Sequence, residues 1–211
     1  DLPSNPDNEL LEKAAVFLKA RAGTVRFKDM DIRGLDIDGS LAANHMEVKN
    51  LSGSLEDSDF RITGALTNAY NYFMKGEMLT GEINFSSKKF NLNRFMTNST
   101  STGGQKQEGI IPVPANIQLE AHASIDELLY TNLTLKKFRG MLEIKNCQVA
   151  MRDVSTDVFG GKIGMEGVYN TEDLNNPGFA FKMDVSKLKY AEAFTHMQTF
   201  ASLAPVARFI D

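Results

Sequence analysis

Over most of its length the chain alternates apolar and polar residues with a period of two, broken at short intervals by turn residues. The clearest case is Asn116–Ala123, where Ile117, Leu119, Ala121 and Ala123 alternate with Asn116, Gln118, Glu120 and His122. Such a strand presents one apolar and one polar face, as in an antiparallel sheet with one solvated side. The same pattern begins at Thr24. Val25, Phe27, Ile32, Leu35 and Ile37 alternate with charges, and turns fall at Gly34, Asp38-Gly39, Asn50 and Gly53. Further strands are predicted at Phe60–Leu66, Thr80–Phe85, Leu128–Tyr130, Leu133–Ile144, Gln148–Val154, Lys162–Tyr169 and Phe179–Val185.

Two stretches read differently. Asn8–Ala22 places Leu10, Leu11, Ala14, Ala15, Phe17 and Leu18 near a helical period, with Asp7 or Asn8 as cap and Gly23 as stop. An amphipathic helix is therefore expected there. Short helical segments are also expected at Leu92–Met96, Ala191–Met197 and Leu203–Phe209. Thr97–Gly109 has no large apolar residue and reads as a linker, because it cannot bury enough surface to offset its ordering entropy.

The halves resemble each other. Gly64-Ala65-Leu66-Thr67-Asn68, a strand at Gly81–Phe85 and then Lys88-Lys89-Phe90-Asn91-Leu92 are echoed later in the chain. The counterparts are Gly167-Val168-Tyr169-Asn170-Thr171, a strand at Phe179–Val185 and Ser186-Lys187-Leu188-Lys189-Tyr190. A repeat of roughly a hundred residues predicts a duplicated β unit. The expected organisation is a linker and helix over 1–24, a first β unit over 25–96, a linker over 97–115 and a second β unit over 116–211. The expected fold is mainly β: an elongated, curled antiparallel sheet, trough-like, made of two similar units with short amphipathic helices at its ends.

Composition narrows the chemistry. Apolar residues make up 42% and charged residues 24% of 211, with a net charge of −4 and no basic cluster, which argues against nucleic acid. The single Cys147 rules out an internal disulfide or a multi-cysteine metal site, and it reads as a small residue at a strand-turn-strand junction. His45, His122 and His196 lack zinc-site spacing. Asp29–Gly34 has Arg33 at a ligand position of a calcium loop and Ser40 where the closing Glu belongs. Asp36 and Asp38, and Glu56, Asp57 and Asp59, would suit a glycosidase pair, but they lie at turns where Asp bonds its local backbone. Gly160-Gly161-Lys162 lacks Walker spacing and reads as a tight turn or bulge. No catalysis, metal or cofactor is expected. No stretch is apolar for the length a bilayer-crossing helix needs. The start at Asp1-Leu2-Pro3-Ser4 and the end at Arg208-Phe209-Ile210-Asp211 suggest a piece of a longer protein.

The second half resembles the AsmA-like family of bacterial envelope proteins. The likeness runs through Ile111-Pro112-Val113-Pro114-Ala115-Asn116-Ile117-Gln118-Leu119, Leu133–Ile144, Phe159-Gly160-Gly161-Lys162-Ile163 and the Pro177–Val185 strand. The resemblance implies a long sheet curled into an apolar trough, in the periplasmic portion of an inner-membrane-anchored Gram-negative protein associated with outer-membrane assembly and lipid transport. It supplies no catalytic residues. Phospholipid or another acyl-chain lipid, and neighbouring repeats of the same chain, are the expected partners. Ile163, Met165, Phe179, Phe181 and Met183 are the candidate lipid-lining residues. The alternative is a structural or protein-binding β module in the periplasm, with no lipid path.

Overall fold

The computed structural model describes residues 15–27, 30–42, 44–96, 112–174 and 176–187. They form one ten-stranded sheet whose spatial order follows the chain, and it does not close into a barrel. The first five strands are β1 Ala15–Phe27, β2 Met30–Ala42, β3 His45–Leu55, β4 Ser58–Thr67 and β5 Leu79–Asn91. The second five are β6 Ile117–Tyr130, β7 Leu133–Lys145, β8 Gln148–Val158, β9 Gly161–Asn170 and β10 Gly178–Ser186. Two short helices, α1 Ala69–Lys75 and α2 Asn93–Met96, flank β5.

Both sets of five are antiparallel meanders, and β5 pairs with β6 in parallel. The parallel joint follows from the odd strand number. The first and fifth strands of a meander run the same way, so a second unit in the same orientation must begin parallel to the end of the first. The expected sheet is present, with this one parallel joint added to its antiparallel pattern.

The two units match in detail. β2, β3 and β4 start at Met30, His45 and Ser58, and β7, β8 and β9 start at Leu133, Gln148 and Gly161, a constant offset. Irregularities recur at equivalent places: the shift between Arg33 and Asp36 returns between Lys136 and Arg139, and that between Val48 and Leu51 returns between Met151 and Val154. Left-handed backbone recurs too, at Gly34 (φ 58°) and Lys137 (φ 51°), and at Glu56 (φ 52°) and Phe159 (φ 50°). Each unit also repeats a closing hydrogen bond, from the Asn68 N–H to the Asn44 carbonyl and from the Thr171 N–H to the Cys147 carbonyl, both 2.8 Å.

Turn chemistry explains the hairpins. Phe159-Gly160, with φ values of 50° and 68°, joins β8 to β9, so the Gly160-Gly161 pair does mark a tight turn. Asn146-Cys147 turns β7 into β8 with φ values of 51° and 60°, leaving Cys147 half-buried with its carbonyl bound to Thr171.

The turns expected at Gly34, Asp38-Gly39, Asn50 and Gly53 lie inside β2 and β3, where the first three fall at register shifts rather than at chain reversals. The helix expected over 8–22 fails in its described part. Residues 15–22 are strand rather than helix, because Val16, Leu18, Ala20 and Ala22 also satisfy a period of two, and β2 offers a complete register from Ala15↔Ala42 to Phe27↔Met30. Tertiary pairing overrides the local helical pattern. Among the described residues the first strand of the meander thus opens at Ala15. Residues 8–14 and the helices expected at 191–197 and 203–209 lie outside the described residues, as does 97–109. In the opposite direction, α1 lies between the strands predicted at Phe60–Leu66 and Thr80–Phe85, where no helix is predicted, and is bounded by left-handed Asn68 (φ 64°) and Gly76 (φ 71°).

The parallel joint is fastened at both ends. At one end Asn116 donates its side-chain amide to the Gly76 carbonyl at 3.0 Å, and its own carbonyl accepts the Leu79 N–H at 3.0 Å. At the other end Asn93 bonds Thr131. The Pro112-Val113-Pro114 segment is anchored by the buried Val113, whose N–H donates to Thr171 Oγ1 at 2.9 Å.

Candidate functional site: an apolar face across ten strands

Following residues directly opposite one another across the sheet gives rows that cross every strand. One row runs Leu18, Gly39, Val48, Gly64, Ile83, Ala121, Leu142, Met151, Gly167, Phe181. A second runs Val16, Leu41, Met46, Leu66, Gly81, Leu119, Ile144, Val149, Tyr169, Phe179. A third runs Ala20, Ile37, Leu51, Ile62, Phe85, Ala123, Gly140, then Val154, Met165, Met183. Its step from Gly140 to Val154 crosses the bulge, where the two residues lie in close contact. None of these residues is charged. The rows share one face, because successive members along each strand are two residues apart, or three where a bulge intervenes.

All five lining candidates fall on this face. Phe179, Phe181 and the Met165–Met183 pair belong to the three rows, and Ile163 lies opposite Val185 beside the third. Tyr169 and Phe179 stack with ring centroids 4.8 Å apart, and Phe179 and Phe181 lie 6.1 Å apart. Their exposure differs: Ile163 is 7% exposed, whereas Phe179 and Met183, on the outermost strand, are 43% and 47% exposed.

Most of the face is half-buried, and among the described residues no large side chain is fully buried. The substantial packing among the described elements is between neighbouring strands, and α1 touches β5 only marginally. The buried apolar residues Ala121, Ala123, Ile125 and Leu128 concentrate on β6, at the middle of the sheet. Leu128 breaks the alternation set by the first three, so β6 shifts face near Asp126-Glu127.

Four glycines stand where a neighbouring strand leaves no room for a side chain. A Cβ on Gly64 would run into the Glu82 carbonyl, and one on Gly81 into the Ala65 carbonyl. Both residues hold φ near 150°, at 147° and 152°, a region open essentially to glycine alone. A Cβ on Gly167 would strike the Phe181 ring, and one on Gly140 would crowd Val154. All four alternate in register with the residues of the apolar face, and at each the neighbouring strand occupies the space a side chain would need.

The opposite face is polar and laced with cross-strand ion pairs. Arg21 meets Asp36 at 3.0 Å, Lys19 meets Asp38 at 3.3 Å, and Arg152 meets Glu143 at 2.6 Å. These pairs engage Asp36 and Asp38. Asp36 and Asp38 lie inside β2 rather than at turns, and of the remaining carboxylates only Glu56 and Asp57 sit in a turn, between β3 and β4. Asp59, in β4, clasps β5: it accepts the Lys88 and Lys89 N–H groups at 3.0 and 2.8 Å and the Ser87 hydroxyl at 3.3 Å. Asp57 accepts the Asn91 amide at 3.0 Å, and Glu56 pairs with Arg94 at 2.8 Å. Partial burial pushes the Asp59 carboxyl up, but the hydrogen bonds it accepts from the Lys89 and Lys88 N–H groups, the Ser87 hydroxyl and its own backbone N–H outweigh that and hold it below the ordinary value. The Asn91 amide does the same for Asp57.

The parallel joint also creates a cluster that sequence spacing hid. Glu82 and Glu120 are direct partners across β5 and β6, and His122 Nε2 lies 3.5 Å from the first and 3.1 Å from the second. Their potential ligand atoms all lie within 4.8 Å of one another, on exposed side chains. The imidazole thereby sits between two carboxylates that would otherwise face each other as like charges.

The described helices include none long and apolar enough to cross a membrane. Comparison with protein-family models, with curated proteins and with solved structures finds no match to this chain.

Proposed function

We propose that the chain is the periplasmic portion of an inner-membrane-anchored, AsmA-like envelope protein. It works without catalysis in outer-membrane assembly, and its apolar face is a trough along which phospholipid acyl chains pass. The observation that carries this reading is the set of three uncharged rows crossing all ten strands on one face. Nine inter-strand spacings of about 4.8 Å make such a row about 43 Å long. That exceeds the roughly 30 Å hydrocarbon thickness of a bilayer, so it accommodates an acyl chain over its full length.

The chemistry suits sliding. Each methylene buried contributes about 0.8 kcal/mol without directional contacts, so a chain moves along the rows with little change in energy. Met46, Met151, Met165 and Met183 add a pliable, polarisable lining that adapts to different acyl chains. Headgroups stay outside, at the rim.

Native mass spectrometry of the protein purified from bacterial envelopes tests the reading. Co-purifying phospholipid is expected, and Leu142→Asp and Met165→Glu are expected to reduce it and to weaken the outer-membrane barrier. Absence of lipid, with barrier function unaffected by both substitutions, would favour the protein-binding β module instead.

A further inference from the structure

Among the described residues the outer edges of β1 and β10 have no strand partner. They are the two halves of a joint the molecule already makes once. β10 occupies in the second unit the place that β5 has in the first, and β1 occupies the place of β6. We propose that β10 pairs in parallel with β1 of a second copy of this chain, reproducing the β5–β6 joint head to tail. This rests on the sheet geometry alone and holds whether or not the face carries lipid.

The register is fixed by equivalence. Gly81 lies beside Leu66 and pairs with Leu119. Phe179 lies beside Tyr169, the counterpart of Leu66, and Val16 lies beside Leu41 as Leu119 lies beside Ile144. Phe179 therefore meets Val16 of the second copy, Phe181 meets Leu18, and Met183 meets Ala20. On the other face Ala180 meets Phe17.

Two independent features fit this pairing. Among the described side chains the large apolar residues left exposed on strands are Val16, Phe17 and Leu18 of β1, Phe179, Met183 and Val185 of β10, and Val168 of the adjacent β9. Phe17 is 77% exposed on the polar side. Its row reads Glu82, Glu120, Glu143 in the middle and then turns apolar at Ala150, Val168 and Ala180 toward the β10 edge. Parallel pairing seats Phe17 of one copy on that small apolar patch of the next. A head-to-tail contact of this kind is not self-complementary, so it leaves a free β1 and a free β10 edge on a pair of copies and extends from copy to copy.

The test combines Phe17→Cys and Ala180→Cys in a Cys147→Ser background. Oxidation of the folded double variant is expected to give a ladder of covalent multimers, with each single variant remaining monomeric. Should the substitutions perturb folding, hydrogen exchange on the unaltered chain serves instead. Amides of β1 and β10 are expected to exchange more slowly at high concentration than after dilution. Exchange that ignores dilution, a monomer by light scattering at every concentration, or cross-linking by Ala180→Cys alone would overturn the proposal.

Discussion

The side-chain amide of Asn93 takes the place of a strand residue beside Thr131, donating to the Thr131 carbonyl at 2.9 Å and accepting the Thr131 N–H at 2.5 Å. This double bond pattern extends the parallel joint past the end of β5, directly after the Leu92 N–H has bonded the Leu129 carbonyl at 2.9 Å. Parallel pairing brings together strands that no tight hairpin connects, so the ends of the joint need fastening by side chains. Asn93→Ala is expected to lower the unfolding free energy by about 1 kcal/mol, the net worth of exposed hydrogen bonds of this kind. Urea unfolding at low protein concentration measures it, and Asn93→Asp, which retains only the acceptor, is expected to fall between the two.

Gly81 and Gly164 separate a glycine the packing requires from one it does not. Gly81 holds φ at 152° with the Ala65 carbonyl where a Cβ would stand, whereas the nearest atom to a Cβ on Gly164 is 3.8 Å away. Gly81→Ala is expected to cost about 1–3 kcal/mol, the range for forcing a side chain into glycine-only backbone. Gly164→Ala is expected to be neutral or slightly stabilising. Thermal or urea unfolding of the pair decides it.

Acid should loosen the clasp on β5. The folded-state Asp59 carboxyl lies below its ordinary value, because the Lys89 and Lys88 N–H groups, the Ser87 hydroxyl and its own backbone N–H outweigh the effect of its partial burial. Its contribution to stability is therefore complete above the unfolded value, near 3.8, and is lost as pH falls through the lower folded value. Asp57, held down by the Asn91 amide, acts in the same sense and over the same window. Stability measured against pH should fall more steeply below about 4 in the unaltered protein than in Asp59→Asn, since a paired carboxylate must be protonated there.

Strand content and the apolar face were legible because period-two alternation is a local signal. Ile117–Ala123 and Phe179–Met183 declare both their strands and their inward faces. Residues 15–22 misled because Leu18 and Ala22 satisfy a helical stripe and a strand face alike, and only the register with β2 decides between them. Nothing local marks the parallel joint, so Glu82, Glu120 and His122 could not be brought together from spacing, nor could Asn93 be matched to Thr131. Gly64, Gly81, Gly140 and Gly167 stand inside predicted strands with nothing local to distinguish them, and their crowding against a neighbouring strand emerges only when the strands are laid side by side.

Alternation along single strands offers the most direct test of an acyl-chain trough. A photoreactive benzoyl-phenylalanine placed at Ile83 or Leu142 stands on the apolar face, and at Glu82 or Glu143 on the polar one. Irradiation in bacterial envelopes followed by mass spectrometry should yield phospholipid adducts at Ile83 and Leu142 and few or none at Glu82 and Glu143. Equal labelling of both faces, or no lipid adduct at either apolar position, would contradict the proposed trough.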